Sequence, residues 1–86
     1  MCKVSTMVIV VGNRVDTATQ VQGILTKYGC QIKARLGLHE ADEEKCTNFG
    51  VIFLQLFGEE DSFKALEQEL NAVPGTKAQL VQVSLD

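Results

Sequence analysis

Two segments of this 86-residue chain, residues 7–11 (MVIVV) and 50–57 (GVIFLQLF, polar only at Gln55), place apolar residues at odd and even positions alike, so a strand built from either one is hydrophobic on both faces. Each segment belongs to a strand-helix-strand unit, and the two units follow one another. A four-stranded sheet backed by two helices can cover only one of its faces. Strands apolar on both sides therefore ask for a further cover, either a second subunit or a ligand.

Residues 3–11 are rich in valine and isoleucine and stop at Gly12, which predicts a strand and a turn. Asn13 can cap a helix there, with Asp16 in its electropositive first turn. Val15, Ala18, Val21, Ile24, Leu25 and Tyr28 recur at three- and four-residue spacing. They predict a helix over about residues 14–28, closed by Gly29 in the left-handed conformation. Ile32, Ala34, Leu36 and Leu38 alternate with Gln31, Lys33, Arg35 and Gly37, the pattern of an edge strand with one buried face and one wetter face. Residues 39–47 (HEADEEKCT) suit a solvated hairpin connection, and residues 48–57 return as the most hydrophobic strand. In that strand Phe49, Val51, Phe53 and Phe57 share one face, and Ile52, Leu54 and Leu56 share the other. Burial of both faces is expected.

Gly58 opens a turn, Asp61 or Ser62 caps a second helix, and Phe63, Leu66, Leu70 and Val73 form its apolar stripe before Pro74 and Gly75 stop it. A last strand, over about residues 77–85, sets Val81, Val83 and Leu85 against Ala78 and Leu80. The order is β-α-β-β-α-β in a single domain, residues 1–86. Ranking the strands by their apolar faces puts the first and third inside and the second and fourth outside. That is an α+β, ferredoxin-like antiparallel sheet of order 4-1-3-2 with both helices on one face.

A domain of this length buries ~60–65% of the surface its unfolded chain exposes, so self-association is expected. The apolar runs fall far short of the roughly 20 residues of a membrane span, and the residues after Lys3 do not form a secretory signal. A soluble, cytoplasmic protein with no membrane association is expected. Cys2, Cys30 and Cys46, an odd number, do not form a disulfide framework and suit free thiols in a reducing cytosol. The net charge of −3 disfavours a phosphate-neutralising surface for nucleic acid.

The turn Gly12-Asn13-Arg14 combines exposed amides at a helix N-terminus with a guanidinium, which can hold an anion or carboxylate; the same residues also make a capped turn with a solvated arginine. His39 and Cys46 bracket the acidic loop and, with Glu40 or Asp42, could offer nitrogen, sulfur and oxygen to a transition metal. With a single histidine, such a shell would be completed across an oligomer interface; a polar hairpin is the simpler use of these residues. Nothing near Ser5, Ser62 or Ser84 supplies a base, which argues against a hydrolase. Arg14 and Asn48 have counterparts in acylphosphatases of this fold, but that family's phosphate-cradling loop is missing. RNA-recognition motifs also share the fold, yet Val10, Phe49 and Val51 stand where that family stacks bases, so only one of three is aromatic.

Asn13-Arg14 after the first strand, Leu25 and Tyr28-Gly29 at the end of the helix, Arg35-Leu36-Gly37-Leu38, the run 51–56, Leu66 with Leu70, and Val73-Pro74-Gly75 resemble the iron-only hydrogenase system regulators, in order and over nearly the whole chain. These are small stand-alone proteins similar to ACT domains and to the C-terminal domain of nickel-responsive regulators, and they are associated with hydrogenase maturation in anaerobic bacteria. The resemblance implies a homodimer or homotetramer whose sheets or edges pair, effectors near subunit interfaces, and no enzyme activity. Nickel-responsive regulators take metal on two histidines of the second strand, one at the end of the first helix and a cysteine opening the third strand. Here Cys46 falls near the last of these, His39 near one strand histidine, and Tyr28 where the helix histidine would be, so the nickel set is broken. The DNA-binding ribbon-helix-helix segment has no counterpart, and a transcriptional role is expected to act through a partner protein. The expected function is a non-enzymatic, oligomeric regulator that senses a small molecule or metal. Its working surface would be the open sheet face and the loops after the first two strands, with Lys33 and Arg35 as contacts there. A scaffold subunit without ligand is the alternative, and an RNA-binding module a more distant one.

Overall fold

Long antiparallel strands on either side of the first one build the molecule. The computed structural model describes residues 2–12, 15–38, 41–42, 45–46 and 49–85. They form β1 (Cys2–Gly12), α1 (Val15–Lys27), a 3₁₀ turn (Gly29–Gln31), β2 (Ile32–Leu38), β3 (Ala41–Asp42), β4 (Lys45–Cys46), β5 (Phe49–Leu56), α2 (Glu60–Asn71) and β6 (Thr76–Leu85). The main sheet runs β2-β5-β1-β6 with every neighbour antiparallel, which is the ferredoxin-like arrangement expected, and β3 pairs with β4 as a separate short ribbon within the acidic loop.

Register decides which residues face the helices. Met7 lies between Leu54 and Leu80, and Ile9 between Ile52 and Ala78. Met7, Ile9, Val11, Leu54 and Leu56 meet Val21 and Leu25 of α1, Phe63, Leu66 and Leu70 of α2, and Val73 in one buried cluster. The odd residues of β1 thus serve the core, and its even ones turn to the uncovered side.

Several ends differ from expectation. Helix α1 stops at Lys27, and Gly29 does not take a left-handed conformation; among the described residues only Gly58 and Gly75 have positive φ. Instead the chain tightens into the 3₁₀ turn, where the Gln31 N–H donates to Tyr28 O at 2.9 Å, a common way to satisfy the last carbonyls of a helix. Asp61 and Ser62 do not cap α2 but lie within its first turn; Glu59 is the capping residue and makes no side-chain capping bond. Glu60 and Asp61 there still suit the positive end of the helix dipole.

The other end of α2 is fixed more tightly. Gly75 has φ 81°, and its carbonyl accepts from the Gly12 N–H at 2.8 Å, while Thr17 Oγ1 donates to Pro74 O at 3.2 Å. A Cβ on Gly12 would sit 3.1 Å from Gly75 O, a tight contact that the absence of a side chain at Gly12 avoids. Leu70→Ala should lower unfolding free energy by about 2–5 kcal/mol, and Gly75→Ala by about 1–2 kcal/mol from the left-handed backbone alone. Urea unfolding followed by circular dichroism checks both, with unchanged slopes.

Candidate functional site

Edge strand β2 places its side chains differently from simple alternation. A bulge separates Ile32, opposite Leu56, from Ala34, opposite Gln55. Ile32 therefore points to the helix side and packs partly buried on the core. After the bulge, Arg35 faces Leu54 and Gly37 faces Ile52 on the helix side, while Leu36 faces Phe53 on the open side. The extra residue reverses the facing of everything that follows it. The row expected to be buried is split, and Arg35 leaves the open face on which it was expected. Lys33, at the bulge, is exposed and has no register partner.

Beyond the bulge lies a cleft of about 270 Å³ between α1 and the sheet. Val11, Val21 and Ile52 form apolar walls, Gly37 and Gly50 leave room where side chains would stand, and Gln22 and Arg35 provide the polar groups. A Cβ on Gly37 would meet nothing within 4 Å. Among the described residues no carboxylate pairs with Arg35. Sequence reasoning singled out Arg35 but missed Gln22 and the two glycines; glycine inside a strand was the available signal, since it marks close approach of another backbone or of a ligand.

The opposite face of the sheet is uncovered and apolar. Val4, Val10 and Phe49 are exposed there, with Leu36 at 58%, Phe53 at 39% and Val83 at 61%. Burial of both faces of β5 is therefore not met within one chain. A groove of about 300 Å³ crosses this face, lined by Thr6, Ala34, Leu36, Phe53 and Gln55, with Arg35 and Leu54 also at its border. Edge strand β6 is partly sealed: the Ala78 N–H donates to Asn71 Oδ1 at 2.8 Å, Asn71 Nδ2 donates to Ala78 O at 3.0 Å, and the Leu80 N–H donates to Glu67 Oε2 at 2.7 Å. Side chains of α2 thus occupy ladder positions that another strand would need.

The remaining sequence candidates are placed unevenly. The Gly12 N–H is engaged by Gly75 and is not free for an anion. Asn13, Arg14, His39 and Glu40 lie outside the described residues. Cys46 pairs with Ala41 through the β3–β4 ribbon. Among the described residues no group of three or more His, Cys, Asp or Glu side chains is gathered as a metal site. Cys2 and Cys30 are free and exposed, so Cys30 does not serve as a packing residue. A polar depression of about 300 Å³ beside α2 has its acid already engaged: Lys3 donates to Glu60 at 2.9 Å and Gln82 Nε2 donates to the same carboxylate at 3.1 Å, and these bonds, the lysine's first, bring the Glu60 carboxyl pKa down to about 2. No helix among the described residues is long and apolar enough to cross a membrane.

Tyr28 donates its hydroxyl to Glu69 of α2, which also accepts from Lys27 at 3.0 Å. The two helices are clamped through this carboxylate.

No family model matches the chain, and no curated protein matches it. Among solved structures it is similar to an uncharacterized protein from Thermotoga maritima, with 27% identity, 96% of this chain and 100% of the other covered, and a TM-score of 0.82. A further match, with 17% identity, coverage of 95% and 92%, and a TM-score of 0.47, is to a dimeric ferredoxin-like protein of unknown function from Thermobifida fusca.

The clamp has a pH signature. The hydrogen bond to Glu69 raises the Tyr28 pKa above 10.0, and the hydrogen bond from Tyr28, then that from Lys27, lowers the Glu69 pKa below 4.5. The Tyr28 contribution is complete below its unfolded pKa and is lost as pH rises through the higher folded value. The Glu69 contribution is complete above its unfolded pKa and is lost as pH falls through the lower folded value. Tyr28→Phe should lower the thermal midpoint at neutral pH, with the gap from wild type closing as pH falls below about 4.5 and again as it rises above about 10. Thermal melts across that range are the check.

Proposed function

We propose that this chain is a non-enzymatic regulatory protein of the kind that the iron-only hydrogenase system regulators represent, working in the cytoplasm as a homo-oligomer that responds to a small molecule. The observation that carries the reading is the uncovered apolar face around Phe53. Aromatic and branched side chains from all four main strands meet there, a patch of the sort that marks an interface. The radius of gyration, 13.6 Å, exceeds the ~12 Å of a typical compact chain of this length and reflects a slab of 46 × 24 × 17 Å. Its broad side has room for the ~800 Å² that each partner buries in a standard interface.

Face-to-face packing is favoured over pairing along β6, because α2 side chains seal that edge at Ala78 and Leu80. A nucleic acid is the poorer cover for the same face: of the residues in register, Lys77 alone brings a positive charge to it. Strand β2 links the two working surfaces, with Arg35 toward the cleft and Leu36 toward the open face. A small molecule in the cleft that changes the set of β2 alters the subunit contact by as much as its affinities for the two arrangements differ.

Sedimentation equilibrium at micromolar concentration should find the wild type as a dimer or tetramer. Phe53→Asp should weaken association about a hundredfold or more, because it places an unpaired carboxylate in the interface, while leaving the far-ultraviolet circular dichroism unchanged. A monomeric wild type would end the reading.

A further inference from the structure

We infer that the cleft between α1 and β2 is a binding site for a small organic carboxylate with a short apolar tail and no ammonium group. The inference deepens the effector-binding part of the reading above and rests on it. Three features of the cleft select this chemistry. Its walls, Val11, Val21 and Ile52, offer an apolar lodging, and its volume of about 270 Å³ lies below the ~300–1,000 Å³ of clefts for drug-sized ligands, so the guest is small.

The bulge after Ile32 turns Arg35 to this side of the sheet, and among the described residues no acid pairs with its guanidinium. A guanidinium matches a carboxylate with two parallel hydrogen bonds. Gln22 stands on the facing helix with an amide to offer. Among the described residues that line the cleft none is acidic, so these residues offer nothing to receive an ammonium ion. That separates a simple carboxylic acid from the corresponding amino acid. Gly37 and Gly50 complete the site by leaving space beside Ile52 and Val11, their partners across the ladders.

The probe is 4-methylpentanoate, titrated by calorimetry into the full chain, with the oligomeric state of each sample measured in parallel. Saturable binding is expected. Arg35→Gln should weaken it about tenfold or more by removing a charge-assisted pair. Gly37→Val should abolish it by filling the cleft while leaving the arginine in place. 4-Methylpentanamide and leucine should each bind at least about tenfold more weakly than the acid, the first lacking the charge and the second carrying an unmatched one. An oligomer that gives no saturable heat with the acid overturns the carboxylate site and leaves the oligomeric reading standing. A monomer that binds the acid does the reverse. Equal binding of acid and amide, unchanged binding in Arg35→Gln, or leucine binding as tightly as the acid would also overturn the proposal.

Discussion

Two helices and four strands leave one side of a sheet without protein cover, and almost every feature of this molecule answers to that shortage. Residues of β1 and β5 that face the helices, from Met7 and Ile9 to Leu54 and Leu56, are closed off in the core. Their alternating neighbours Val10, Phe49 and Phe53 are as apolar but stay exposed. Hydrophobic burial supplies most of the favourable free energy of folding, so a small domain that leaves this much apolar surface in water is suited to finding the remainder outside itself. The thin slab shape follows from the same geometry.

On the covered side, polar contacts hold the helices at their ends. Gly12, Thr17, Pro74 and Gly75 join the first and last turns, and Tyr28 and Lys27 meet Glu69 between the helices. Between these ties α1 leaves the rim of the sheet partly bare beside β2, which is where the cleft opens. The cleft is thus a product of how far one helix reaches over an edge strand. Arg35, the guanidinium that lines it among the described residues, arrives there through one extra residue in the strand.

The strand order could be read from the chain because period-two patterning and the number of apolar faces report directly on position in a sheet. The two inner strands and both apolar stripes of the helices were legible for that reason. The bulge was not, because Ile32, Ala34, Leu36 and Leu38 keep perfect alternation in sequence while the backbone breaks it, and only the pairing partners on β5 reveal the change. Helix ends were also poorly legible: Gly29 and Asp61 are common terminators and caps, but a 3₁₀ turn follows α1 and α2 begins earlier, with Glu59 as its cap and no side-chain capping bond. The site suffered most from the bulge, since the sequence identified Arg35 as a contact but put it on the opposite face.

The side chains of Asn71 and Glu67 that occupy the margin of β6 have a consequence for growth as well as for recognition. An assembly that joins unlike surfaces can add copies without end and become a fibre, whereas one that joins a single patch to itself stops when the two halves meet. With one rim of the sheet occupied by its own helix, the association proposed above would join the patch around Phe53 to its equal, and such a pair would close on itself rather than grow.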